Sequence, residues 1–269
     1  MEETMTNTTY TFITGASRGI GKELAVEAAK DGHNLILVAQ HQQPLEEVAQ
    51  MLTSQYGRKV EILVQDLCKP GAASAISQEV SRRGLVLDTL INNAGLGDYG
   101  AFETSDPHRL YDMLTVNMVA LTELTRLFLP DLLKQNQARI MNVASVTGFL
   151  PGPFMSVYFA TKHYVLAFSE GLREELRTSP VVVTALCPPP VDTAFVQGAH
   201  IAQGNYMATT KFTAEMVARY GYRAMKQGKA VAVYSLRYQL LTALVVRLTP
   251  RFVLRKILYR LNSRGGGAV

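Results

Sequence analysis

Residues 10 to 21 read Tyr-Thr-Phe-Ile-Thr-Gly-Ala-Ser-Arg-Gly-Ile-Gly. The first five, Tyr10 to Thr14, are all aromatic or β-branched, the composition of a strand. Gly15, Gly19 and Gly21 follow, and a helical pattern then runs from Ile20 to Lys30. A strand that passes through glycines into a helix turns tightly and brings bare backbone close to a ligand. The free N–H groups and positive dipole end of the new helix then favour a phosphate. The spacing is G-x-x-x-G-x-G, not the commoner G-x-G-x-x-G. Gly15 to Gly19 also fits G-x-S-x-G, the strand-turn-helix elbow that carries a nucleophilic serine. That elbow takes an oxyanion donor from a loop after an earlier strand. Only one strand precedes Ser17, which excludes the hydrolase reading.

Working outward, strands and helices alternate. Strands are expected at Asn34–Ala39, Val60–Val64, Leu87–Asn92, Arg139–Val143, Val181–Leu186 and Ala230–Tyr234. Helices are expected at Leu45–Tyr56, Ala72–Arg82, Pro107–Lys134, Val157–Arg177 and Thr213–Lys226. Runs such as Leu35-Ile36-Leu37-Val38 and Val181-Val182-Val183 lack polar alternation, so these strands are buried on both faces in a parallel sheet flanked by helices. Repeated strand-helix units give a doubly wound α/β fold with right-handed crossovers. Ligands in such folds sit at the carboxyl ends of the strands, where this chain keeps its unusual residues.

The composition agrees. With 269 residues, 48% apolar and 18% charged, the chain is neither disordered nor short of core. Cys68 and Cys187 are the only cysteines, too few for a disulfide framework and consistent with a reducing, cytoplasmic setting. No apolar run reaches the ~20 residues that span a bilayer, and the polar start is not that of a secretory signal. The five histidines lack ligand spacing, so no metal site is expected. The net charge of +5 hides an asymmetry: after Glu215 come eleven Lys or Arg and no acid. The preceding residues hold 16 bases against 22 acids, a balance of −6.

Tyr158 and Lys162 lie four apart at the start of a long helix and share a face. Ser145 follows the strand that ends near Val143. A free phenol has a pKa near ~10, and a neighbouring ammonium is expected to lower it. Such a tyrosine exchanges a proton with a carbonyl oxygen that gains or loses a hydride, while a serine hydroxyl steadies the developing charge. Taken in order, Thr14-Gly15-x-x-x-Gly19-Ile20-Gly21, Asn92-Asn93-Ala94-Gly95, Asn117, Ser145 and Tyr158-x-x-x-Lys162 resemble the short-chain dehydrogenase/reductase family over roughly residues 9 to 234.

The resemblance implies a single Rossmann domain with a seven-stranded parallel sheet, assigned to residues 1–236, and the charge pattern marks a basic extension over 237–269. It implies an NADP(H) or NAD(H) cofactor, with Tyr158 as general acid/base and Lys162 holding the nicotinamide ribose. Ser145 and Tyr158 would hold the substrate, and Asn117 would support a proton relay through Lys162. Gly15, Ser17, Arg18, Gly19, Ile20 and Gly21 would form the phosphate turn. Asp66 and Leu67 would contact adenine, Asn93, Ala94 and Gly95 would line the cofactor, and Val191 and Thr193 would meet the nicotinamide end.

Two departures bear on that assignment. Pro188-Pro189-Pro190 replaces the family's Pro-Gly and removes backbone N–H groups. After the second strand stands Ala39-Gln40-His41, with no carboxylate for the ribose hydroxyls of NAD. Arg18 suits a 2′-phosphate, with His41 as a weaker second contact, so NADP(H) is favoured and NAD(H) stays possible. The expected reaction is reduction of an apolar ketone or aldehyde. Secondary-alcohol oxidation, or a cofactor-bound sensor or scaffold working through the tail, are the alternatives. Phe149, Leu150, Phe154, Met155 and Phe195 are candidates for an apolar pocket, bordered by the loop Leu96 to Gly100. A homodimer or homotetramer through Pro107–Lys134 and Val157–Arg177 is expected from the resemblance.

The tail has its own pattern. Leu240, Leu241, Leu244, Val245 and Leu248 form one helical face, and Pro250 breaks the helix. Phe252, Val253, Leu254, Ile257, Leu258 and Leu261 then interleave with Arg251, Arg255, Lys256 and Arg260. A basic amphipathic helix of this kind lies on an anionic membrane surface or packs on the body or a partner subunit. No nucleic-acid module accompanies the charge.

Overall fold

The computed structural model describes residues 8–191, 195, 198, 199 and 211–263. Seven parallel strands form one sheet: β1 (Thr9–Thr14), β2 (Asn34–Ala39), β3 (Val60–Val64), β4 (Val86–Asn92), β5 (Ala138–Val143), β6 (Val181–Cys187) and β7 (Val231–Val233). Their order is β3-β2-β1-β4-β5-β6-β7. The chain winds outward from β1 in one direction, then crosses to β4 and winds in the other. This is the doubly wound Rossmann arrangement, with its crevice between β1 and β4.

Side chains of the inner strands alternate between two layers of core. Ile13, Leu35 and Leu37 meet α1 (Gly19–Lys30), α2 (Gln42–Tyr56) and the helix Ala214–Lys226 on one face. Phe12, Ile36 and Val38 meet α3 (Ala72–Arg82), α5 (Leu121–Leu132) and α6 (Ser156–Glu175) on the other. Both sets are fully buried, which is why these strands read as continuous apolar runs.

The expected helix Pro107–Lys134 is not one regular helix. It begins as α4 (Pro107–Leu114), widens into a π turn at Thr115–Ala120 and resumes as α5. Asp106 caps its start by accepting from the His108 N–H at 2.9 Å. The widened turn carries Asn117, and π turns of this kind often mark functional positions.

Beyond β7 the chain forms a helical stretch from Leu236 to Leu248, with a π turn at Leu241–Val245, and a last helix, Arg251–Ser263. The last helix buries Leu254, Leu258 and Asn262, one residue per turn. The preceding stretch does the reverse. Its only buried residue is Thr242, while Leu240, Leu244, Val245 and Leu248 are exposed.

Candidate active site

The turn after β1 is built from backbone. Gly15 and Gly19 take φ of +64° and +57°, the left-handed region where only glycine is unstrained. Gly21 sits beneath the turn, and a Cβ there would stand 2.2 Å from the Gly15 carbonyl oxygen. Asn93, just past β4, donates from Nδ2 to the carbonyls of Thr14 at 2.9 Å and Gly15 at 3.2 Å. The Thr14 hydroxyl accepts from the backbone N–H of both Asn93 and Ala94 at 3.0 Å. The ends of β1 and β4 are thus bolted together at the switch point. Asn92 continues the lattice, donating to Thr125 and Asn142 at 3.0 and 2.9 Å.

A cavity of about 330 Å³ opens above this frame, within the range of small-molecule sites. Gly15, Ser17, Arg18, Gly19 and Ile20 line one end with His41, Asp66 and Leu67; Asn93, Ala94 and Gly95 line the middle; and Ser145, Tyr158, Lys162 and Val191 line the other end. Of the remaining residues singled out in the sequence, Gly21 supports the turn from below and Thr193 lies outside the described residues. Asn117 lies behind the wall. Its Oδ1 accepts from the Leu96 N–H at 2.8 Å, and its Nδ2 donates to Leu96 O at 2.9 Å and Thr161 Oγ1 at 3.0 Å. A Cβ on Gly95 would fall 3.3 Å from Asn117 Oδ1 and 3.5 Å from Lys162 Nζ. A side chain at Gly95 would therefore crowd both Asn117 and the lysine.

The donor set fits an elongated dinucleotide. The phosphate end offers a glycine-lined helix start with Arg18 beside it, and no hydrogen bond or ion pair to a described residue engages that guanidinium. The end of β2 contributes Ala39, Gln40 and His41, none of them acidic. Gln65 and Cys68, which the sequence did not single out, line the cavity beside Asp66, whose Oδ1 accepts from the Cys68 N–H at 2.9 Å.

At the far end Tyr158 and Lys162 rise from the first turns of α6, both buried. Burial pushes the Tyr158 phenol up to about 12, against the opposing pull of the Ser145 and Thr147 hydroxyls. Burial also brings the Lys162 ammonium down to about 8. The acidified phenol expected from the sequence is not found in the protein alone. Lys162 Nζ stands 5.9 Å from the Tyr158 ring centre and donates to the Val143 carbonyl at 2.8 Å, and burial dominates the phenol's shift.

Ser145 Oγ accepts from the Thr147 N–H at 3.1 Å and lies 3.4 Å from the Pro188 carbonyl. The three prolines line the cavity with no described cis bond, and Pro188 O accepts from the Val146 N–H at 3.0 Å. Of the apolar candidates only Phe195 lines this cavity, with its ring 5.4 Å from that of Tyr158. Leu150 and Met155 instead pack into the cluster around Tyr158 and Phe159. Phe149 packs behind Val146 and Val165, and Phe154 turns outward against Tyr99 and Tyr259.

The family model for short chain dehydrogenase matches residues 9–204. The very-long-chain 3-oxoacyl-CoA reductase of Anas platyrhynchos is 32% identical over 185 residues, 66% of this chain and 58% of that protein. The 17-beta-hydroxysteroid dehydrogenase type 3 of Danio rerio is 30% identical over 224 residues, 81% of this chain and 70% of that protein. The match thus spans less than two thirds of the reductase's own length. Among solved structures, the short-chain dehydrogenase from Sphingobium yanoikuyae in complex with NADPH superposes with a TM-score of 0.79 at 29% identity, covering 97% of this chain and 98% of that one.

Proposed function

The chain belongs to the short-chain dehydrogenase family, and from that premise we propose that it reduces a bulky apolar ketone or aldehyde to an alcohol with NADPH. The observation that carries this reading is one cavity shared by the glycine turn and by Ser145, Tyr158 and Lys162. Arg18 would hold the 2′-phosphate, with His41 beside it and no carboxylate at the end of β2; the Gly19–Gly21 helix start would take the pyrophosphate. Asp66 and Leu67 would flank the adenine, and Lys162 would hold the nicotinamide ribose. Bound there, the reduced dinucleotide supplies a hydride. The Tyr158 hydroxyl donates its proton to the substrate oxygen, and the Ser145 hydroxyl orients that oxygen. Asn117, by its bonds to Leu96 and to Thr161 beside Lys162, would tie the loop after β4 to the helix that carries the lysine.

A phenol held near 12 by burial is protonated at neutral pH, the state from which carbonyl reduction starts. The apolar class rests on Phe195, Leu96 and Val191 around the reacting end and on the oxoacyl and steroid relatives. The decisive experiment follows NADPH consumption against carbonyls of rising size, including a long-chain 3-oxoacyl thioester and a steroid ketone. Turnover that favours the large apolar members supports the reading. Tight NADPH binding without turnover of any member favours the sensor or scaffold alternative.

Two surfaces extend the proposal. Leu236, Leu240, Leu244 and Leu248 are 52–79% exposed and repeat every four residues, among Arg237, Arg247 and Arg251. No described helix is long and apolar enough to cross a membrane, so this stripe would lie on an anionic lipid surface. Flotation with anionic but not zwitterionic vesicles, lost in high salt, is expected; equal flotation with both contradicts it. Exposed Tyr111, Leu114, Val119, Leu127 and Leu133 on the α4–α5 segment would bury themselves in a homo-oligomer, which sedimentation would reveal as a dimer or tetramer.

A further inference from the structure

Two residues past Ser145 stands a second hydroxyl that neither the motifs nor the proposed roles use. Thr147 is 3% exposed and lines the cavity beside Ser145 and Tyr158. Its Oγ1 is buried and makes no hydrogen bond of ordinary geometry to a described residue, while it lies near enough to the Tyr158 hydroxyl to favour loss of that proton. Leaving a buried hydroxyl unmade costs about 1–3 kcal/mol, and a valine of the same shape would avoid it.

The surroundings fix this hydroxyl in place. Thr147 belongs to the short 3-10 turn Val146–Phe149, and its N–H is tied to Ser145 Oγ at 3.1 Å. Gly148 next to it packs so closely on α6 that a Cβ would stand 2.7 Å from the Lys162 carbonyl. The turn is therefore pressed against the helix that carries Tyr158. Ser145 is less free than its neighbour, because its oxygen already accepts from the Thr147 N–H and faces the Pro188 carbonyl at 3.4 Å.

We propose that Thr147 is a further catalytic residue, whose hydroxyl donates a hydrogen bond to the reacting oxygen of the carbonyl substrate alongside Ser145 and Tyr158. As the carbonyl carbon becomes tetrahedral its oxygen gains charge and a third lone pair. Three hydroxyls from one cavity wall then meet it: Tyr158 gives up its proton, while Ser145 and Thr147 keep theirs and donate only hydrogen bonds. A donor held in place beforehand stabilises the transition state more than the bound ketone. The inference rests on the carbonyl-reductase reading above, since it needs a substrate oxygen at Tyr158.

The test compares Thr147→Val and Thr147→Ser with the wild-type chain, by steady-state reduction of the best carbonyl in the panel, NADPH binding by fluorescence, and thermal unfolding. Thr147→Val is expected to lower kcat at least tenfold while substrate KM and NADPH Kd stay within about twofold, on the scale of losing one oxyanion donor. It is also expected to unfold at a higher temperature, because the unpaired hydroxyl is gone. Thr147→Ser should restore most of kcat. Wild-type kcat in the valine variant overturns the inference while leaving the reductase reading standing. A fall in kcat matched by weaker NADPH binding also overturns it and makes Thr147 a prop of the cofactor wall. Absence of turnover in the wild-type chain sinks both readings together.

Discussion

The two ends of the cavity are built differently. The cofactor end is backbone: positive-φ glycines, a helix start, and Asn93 and Thr14 joining two central strands. The end proposed for the substrate is side chains gathered from distant segments, Ser145, Tyr158, Lys162 and Phe195. Behind that wall and outside the cavity lining, Phe154, a non-glycine residue at φ +64°, stands between Tyr99 and Tyr259 at 6.4 and 5.3 Å. Asn262 of the last helix donates to the Pro153 carbonyl at 2.7 Å, and its own carbonyl accepts from the Tyr99 hydroxyl. Leu258 from the same helix packs in one cluster with Met113, Met155 and Tyr158. A backbone cradle holds one ligand geometry and tolerates little change, whereas a wall of loop and helix side chains can be altered without disturbing the sheet. This division lets one fold keep its cofactor and change its substrate.

The sharpest way to break that comparison is at the cradle. Gly21→Ala places a methyl 2.2 Å from the Gly15 carbonyl, and overpacking of this kind costs about 1–3 kcal/mol. Calorimetry is expected to show lost NADPH binding and thermal unfolding to show a lowered Tm; an unchanged Kd would mean the turn is not the phosphate site.

Arg18→Ala should have the next largest effect. Loss of a charge-assisted contact worth about 1.5–3 kcal/mol predicts at least tenfold weaker NADPH binding with NADH binding little changed. Equal loss for both would move the 2′-phosphate elsewhere.

Asn262→Leu tests the substrate end. It removes the side-chain bond that ties the last helix to the Pro153 carbonyl, beside the residues behind Tyr158. Substrate KM is expected to rise severalfold while NADPH Kd holds, and a change in NADPH Kd instead would deny that the two ends are separable.

The smallest effect is in the pH profile. Lys162 loses its charge near 8, below its ordinary value, because burial disfavours the ammonium. Reduction kcat/KM should therefore fall as pH rises through about 8, while the Tyr158 phenol stays protonated to about 12. A profile flat from pH 7 to 10 would remove Lys162 from the site. The stability sign is opposite. The unfolded lysine binds its proton more tightly, so folding gains from this group as pH rises from about 8 towards 10.5.

The same contrast explains what the sequence disclosed. Gly15, Gly19 and Gly21 were legible because only glycine satisfies local backbone geometry, and the strands because burial on both faces leaves unbroken apolar runs such as Leu35 to Val38. Tyr158 and Lys162 were legible because one helix carries both. Thr147 was not, since its meaning depends on having no partner, which no spacing reveals. Phe149 and Leu150 were misplaced because the 3-10 turn Val146–Phe149 and the residue after it carry them onto neighbouring apolar clusters, away from the cavity. In the tail, composition named both Leu254 and Leu248 as apolar. Only the fold shows that the first is buried while the second is 79% exposed.

The central claim is that the Tyr158 hydroxyl delivers the proton. Single-turnover reduction by Tyr158→Phe, read beside NADPH binding, tests it most directly. The account predicts NADPH affinity within about twofold of wild type and a rate lowered ~10²–10⁴-fold. A phenylalanine variant that reduces the same carbonyl at the wild-type rate would contradict it.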